Sequence, residues 1–207
     1  MDKEKLNRLK EIILEKSFKY CEEPCFKLTS GAISQYYFDC KQTTLDPEGA
    51  YLVGEALYDI VKDWPIKGAG GLTLGADPMG AALMHTAYKY GRNIYHFIVR
   101  KEKKKHGTSR WVEGVWKKGD DVVILDDVVT TGGSVIKAIE RAKEDGLNIY
   151  GVIVLVDREE FNGMEKIKES VADIPEDRII SIVTRSDIMK LYNNKGSSSD
   201  LKFKTIL

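Results

Sequence analysis

Apolar residues along the chain alternate between two spacings. Apolar runs rich in β-branched residues stand at Ile94 to Val99, Val122 to Leu125, Val152 to Val156 and Ile179 to Thr184, the second of them uninterrupted and flanked by charge. Such runs predict strands buried on both faces of a parallel sheet. A run of small residues around Gly70 reads as a further strand. Between the runs the spacing becomes helical. Leu6, Leu9, Ile12 and Ile13 form one face of an N-terminal amphipathic helix, and Pro47 to about Lys62 follows the N-cap residue Asp46. Asp77 and Pro78 read as N-cap and first-turn residue of the next helix. From about Ser134, Ile136, Ile139 and Ala142 keep helical period until Gly146 stops it. A short helix should follow the Ile153 strand, and a last one should run to about Tyr192. Strands alternating with helices predict an α/β fold of right-handed βαβ units around a parallel sheet flanked by helices. The polar stretch Asn193 to Asp200 reads as a flexible break. With no internal repeat, one domain over 1–207 is expected.

Composition adds little beyond exclusions. Lys plus Arg equals Asp plus Glu at 32 each, so no global field recruits nucleic acid or a membrane. The first 18 residues are too charged for a signal peptide and no apolar run nears membrane-spanning length, which predicts a cytoplasmic protein. Cys21, Cys25 and Cys40 lack paired-ligand spacing and are expected as reduced thiols.

Chemistry concentrates at residues 122 to 134, VVILDDVVTTGGS. Asp126 and Asp127 stand at the carboxyl end of a buried strand, the edge where ligands bind in open α/β sheets. Thr130, Thr131, Gly132 and Gly133 follow at a helix N-terminus, where unpaired N–H groups and the helix dipole favour an anion such as phosphate. The carboxylates would repel that anion; they suit hydroxyl groups or a divalent metal. A diol beside a phosphate describes ribose 5-phosphate. Taken singly, each piece reads better as an acidic strand end or an ordinary capped turn; the whole run in this order does not.

Three other stretches carry candidate chemistry. Residues 100 to 114, RKEKKKHGTSRWVEG, hold six Lys or Arg against two Glu, either a solvated charge run or a mobile loop visited by a polyanion. Residues 68 to 84 are rich in Gly and small side chains, suiting close helix–strand packing or a backbone loop around a ligand. Residues 29 to 39, TSGAISQYYFD, put Tyr36, Tyr37 and Phe38 in one strand-like segment, fit either for a core or for the face of a planar ring. Arg158, after the Val152 to Val156 run, is the right type to bind a carboxylate with two parallel hydrogen bonds, although an Arg in DREE is otherwise a surface ion-pair partner.

The run at 122–134 resembles the phosphoribosyl pyrophosphate (PRPP) signature of the type I phosphoribosyltransferases. With RKExKxHG from Arg100 and YYFD from Tyr36, the chain is similar to orotate phosphoribosyltransferases from about Phe18 to Asp187. The resemblance implies a type I phosphoribosyltransferase-like sheet with a small N-terminal hood, approximately 18–45 plus the C-terminal segment, and a mobile loop at approximately 100–114. It implies a homodimer in which that loop reaches the neighbouring subunit's site, and Mg²⁺ held mainly through PRPP or pyrophosphate, with no residue named as its ligand. Catalytic roles would fall to Lys104, His106, Asp126 and Asp127. PRPP contacts would come from Arg100, Lys101, Lys104, His106, Asp126, Asp127, Val128, Val129, Thr130, Thr131, Gly132, Gly133 and Ser134, with Thr73 and Gly75 in a short pyrophosphate loop. Orotate would meet Tyr37, Phe38, Thr130 and Arg158. The chain departs from relatives that have an aromatic and a Lys in the short loop, where Asp77 and Pro78 stand, and from those with Lys at Thr29. A phosphoribosyltransferase for another base, or a PRPP-sensing regulator of the same fold, are the alternatives.

Overall fold

The computed structural model describes residues 2–27, 31–103 and 110–196. Its frame is a six-stranded sheet of β5 (Gly68–Leu72), β6 (Tyr95–Val99), β7 (Val112–Glu113), β8 (Asp121–Val129), β9 (Asn148–Asp157) and β10 (Ile179–Thr184), in the order β10-β9-β8-β5-β6-β7. All neighbours are parallel except β7, which pairs antiparallel with β6 at the edge. From β5 the chain moves first to β6 on one side and then to β8 on the other. The crevice beyond the carboxyl ends of β5 and β8 is therefore the switch point where α/β sheets bind ligands.

Helices cover both faces. On one side α1 (Lys3–Ile12), α3 (Pro47–Val61), α4 (Ala76–Lys89) and α7 (Arg185–Gly196) pack with Val123, Leu125 and Leu155; on the other, α5 (Gly133–Asp145) and α6 (Gly163–Ser170) pack with Val122, Ile124 and Val154. The period-2 strand side chains thus feed two cores, which explains the uninterrupted apolar runs. Asp46 caps α3 as expected, accepting from the Gly49 N–H.

The hood combines β1 (Phe18–Tyr20) and β4 (Tyr36–Phe38), an antiparallel pair, with the ribbon of β2 (Phe26–Lys27) and β3 (Ile33–Ser34) and the short helix α2 (Lys41–Thr44). Phe18 and Tyr20 meet Tyr192 of α7 edge-on, joining the hood to the C-terminal segment.

Four expectations change. Cys21 and Cys25 are disulfide-bonded rather than free thiols, because β1 and β2 both run antiparallel to residues 33–38 and the intervening residues bulge out, with the Cys21 and Cys25 N–H groups donating to the neighbouring carbonyls of Gln35 and Ser34. Asp77 is not an N-cap: α4 starts at Ala76, and the Asp77 carboxylate accepts from the Thr73 hydroxyl at 2.7 Å. Asn193 to Gly196 are helical, the last turn of α7, where only a break was read. Residues 110–114 include the edge strand β7, pinned because Asp145 accepts from the Trp111 and Val112 N–H groups at 2.9 Å each.

Candidate active site

β8 is longer than the apolar run that announced it, and its extra length builds the site. Its pairing with β5 ends at Gly70 and Ile124, whereas its pairing with β9 continues to Val129. Past Ile124 one side of β8 is therefore open, and a cavity of about 560 Å³ occupies the gap. Asp126 and Asp127 line it beneath the turn Thr73–Leu74–Gly75 that follows β5, in which the Thr73–Leu74 peptide is cis. Gly75 must be glycine for this approach, since a Cβ there would stand 2.4 Å from Asp127 Oδ1.

The carboxylates are 7% and 6% exposed, and their electrostatics follow from that burial. Removal from water, then the adjacent Asp127 charge, pushes Asp126 up to about 8; burial also raises Asp127, against the opposing pull of Lys41. Asp127 Oδ2 has no hydrogen-bond partner. A buried acceptor facing a cavity fits a ligand hydroxyl.

This burial predicts a pH signature in ligand-free protein. Below about pH 4 the Asp126 carboxyl is protonated in folded and unfolded chains alike and contributes no pH dependence. Between about 4 and about 8 only the folded chain keeps the proton, so stability falls as pH rises through that window. Asp126→Asn, which cannot ionise, should therefore gain on the parent across this range, by at most about 1.4 kcal/mol per pH unit. Thermal unfolding at stepped pH measures it; a constant difference in Tm would contradict the raised carboxyl.

Beyond the carboxylates, Val128, Val129, Thr130, Thr131, Gly132, Gly133 and Ser134 continue along the same wall. Gly132 has φ +78° and turns the chain into α5, whose first N–H groups have no side-chain cap. These open amides and the positive end of the helix dipole face an incoming anion.

Opposite lie Tyr37 and Phe38 from the hood and Arg158 after β9. Phe26 stacks on Tyr37 with ring centroids 5.5 Å apart. Arg158 is buried; its Nη2 donates to Tyr36 O at 2.9 Å and to Ser34 Oγ at 3.2 Å, and pairs with Glu160 at 2.6 Å. Its Nε–H is buried without a partner, a donor held ready for an acceptor in the cavity.

The expected residues are thus brought together unevenly. Thr73, Gly75 and Lys101 line the cavity with the groups above. Arg100 pairs with Glu113 at 2.6 Å, because β7 brings Glu113 alongside the end of β6. Lys104 and His106 lie outside the described residues. Lys27 and Lys41 also line the cavity and were not anticipated. Only the ribbon and the four-residue α2 place them there, although the succession Asp39, Cys40, Lys41 directly after the aromatic strand was a usable signal.

The Phosphoribosyl transferase domain model matches residues 78–185. The chain is 47% identical over 169 residues to an orotate phosphoribosyltransferase of Aquifex aeolicus, covering 82% of this chain and 90% of that protein. It is 45% identical over 148 residues to one from Streptomyces avermitilis, covering 72% and 80% respectively. Among solved structures, the Mycobacterium tuberculosis orotate phosphoribosyltransferase in complex with PRPP superposes with a TM-score of 0.71 at 30% identity, covering 89% of this chain and 99% of that one.

Proposed function

Because this chain belongs to the orotate phosphoribosyltransferase family, we propose that its cavity carries that family's reaction with the division of labour set out below. The chain is a pentosyltransferase that moves ribose 5-phosphate from PRPP to orotate. A pyrimidine nitrogen of orotate forms a bond to C1 of the sugar while the C1–O bond to pyrophosphate breaks, giving orotidine 5′-monophosphate and pyrophosphate. The observation that carries the reading is the β8-to-α5 wall, where acceptors for a diol run directly into amides for a phosphate.

In this assignment the amides and hydroxyls of Thr130 to Ser134 hold the 5′-phosphate, and Asp126 and Asp127 accept from the ribose hydroxyls. Hydroxyl donors favour the ionised carboxylates and so reverse the effect of burial. Orotate lies between Tyr37, Phe38 and the backbone near Thr130, with its carboxylate on the Arg158 Nε edge. Its ring offers a flat apolar face to the aromatics, and Arg158 discriminates it from bases without a carboxylate.

Charge then builds on the departing pyrophosphate, and preorganised cations stabilise that state more than the ground state. Lys101, Lys104 and His106 are assigned to it, with Lys104 and His106 delivered to the neighbouring subunit of a homodimer. Two carboxylates, rather than three or more converging ligands, face the cavity among the described residues. Mg²⁺ would be held mainly through the substrate, with Asp126 and Asp127 the carboxylates nearest to it, and would supply charge neutralisation. The assignment makes 1–207 one catalytic domain.

No helix among the described residues is long and apolar enough to cross a membrane. We assign the enzyme to the cytoplasm, the compartment of its small, charged substrates, although a disulfide does not by itself favour a reducing compartment. Orotate consumption measured by absorbance with PRPP and Mg²⁺, against uracil, adenine and hypoxanthine, tests the function. Orotate alone should react; preference for another base, or PRPP binding without turnover, would replace it.

A further inference from the structure

Two cations that line the cavity, Lys27 and Lys41, have no part in this division of labour, and Lys41 is the one beside the carboxylate pair. Lys41 stands at the start of α2, whose backbone is fixed from below: Cys40, Thr43 and Thr44 are buried, and the Thr43 hydroxyl hydrogen-bonds Ser17 Oγ at 2.7 Å. The side chain is not buried with them. It reaches the cavity, where its ammonium lies 2.7 Å from Asp39 Oδ1 and 4.0 Å from Asp127 Oδ2, the orphaned acceptor. Among the described residues it is the cation within ion-pair distance of the carboxylate pair.

The placement matters because the ligand assigned above is a polyanion. A sugar bearing a phosphate at one end and a diphosphate at the other must approach two adjacent carboxylates in a partly desolvated cleft, where like charges repel strongly. Asp39 holds the ammonium close to Asp127, so the compensating charge is in place before the ligand arrives.

We propose that Lys41 is a positioning residue for the sugar diphosphate: anchored by Asp39, it offsets the charge of Asp127 and fixes that carboxylate to receive the ribose hydroxyls. The inference rests on the functional reading above and deepens it, since it predicts an effect confined to one substrate.

The test uses the full-length chain with Lys41→Met, Lys41→Arg and Asp39→Asn, measuring PRPP binding by calorimetry and the KM of each substrate. Lys41→Met should weaken PRPP binding and raise its KM by about tenfold or more, the scale of losing one partner of a partly buried charge pair. The orotate KM should stay within about twofold of the parent. Lys41→Arg should recover most of the loss, and Asp39→Asn should give a smaller, equally PRPP-selective defect. Unchanged PRPP binding in Lys41→Met would overturn the proposal. So would equal weakening of both substrates with a lowered Tm, which would make the ion pair purely structural. Should Lys41→Met fail to fold, Asp39→Asn decides, and absence of a PRPP-selective defect there overturns the proposal equally. A parent protein that binds no PRPP would instead remove the functional reading itself.

Discussion

Lys104→Ala is expected to lower kcat by about 10²- to 10³-fold, the usual cost of removing one preorganised group that stabilises charge in the transition state. Orotate binding should change little, because the lysine is assigned to the departing pyrophosphate and not to the base. Equal losses in turnover and orotate affinity would contradict the assignment. Lys104 lies outside the described residues, but its flank is informative. Lys101 lines the cavity, while Lys103 pairs with Glu144 on α5. The helix whose N-terminus faces the phosphate therefore also holds the start of this basic segment near its C-terminal end. Because Lys104 is assigned to the neighbouring subunit's site, mixing Lys104→Ala subunits with Asp127→Asn subunits should restore activity that neither parent shows. Verified mixed dimers without recovery would place the lysine in its own subunit's site.

The second large effect is expected at the phosphate turn. Gly132→Val puts a β-branched residue at φ +78°, and its Cβ would stand 2.7 Å from the backbone oxygen of Gly163. Non-glycine residues in that region cost about 1–3 kcal/mol before any clash is counted. The turn must therefore rearrange, taking its amides off the anion. PRPP affinity should fall by about a hundredfold or more, since several charge-assisted hydrogen bonds are lost together. Thermal stability should fall as well. Retained PRPP affinity would show that the phosphate is bound without these amides.

Legibility in the sequence followed the range of the interactions. β8 and its turn could be read because a buried strand, a carboxylate pair and a helix start are set by neighbouring residues. Asp46 and the Pro47 helix were legible for the same reason. The hood's placement against Tyr192 followed only from the family resemblance, since nothing local specifies it. What escaped depended on distant partners. The Cys21–Cys25 bond requires the bulge between β1 and β2 against residues 33–38; the Arg100–Glu113 pair requires a two-residue edge strand too short to show a period. Asp77 was misassigned because Gly75, itself already helical in conformation, opens α4 without a side-chain cap. Glu160 was read only as part of an acidic DREE stretch, yet it joins Ser34 and Arg158 across 124 residues of chain. Buried Arg158 thus has an ion-pair partner as the surface reading of DREE required, but at the cavity wall.

The most direct test is a crystal structure with PRPP bound. The 5′-phosphate should lie within hydrogen-bonding distance of the backbone N–H groups between Thr131 and Ser134, with the ribose hydroxyls on Asp126 and Asp127. A phosphate bound elsewhere, or a ribose that leaves both carboxylates without a partner, would contradict the account.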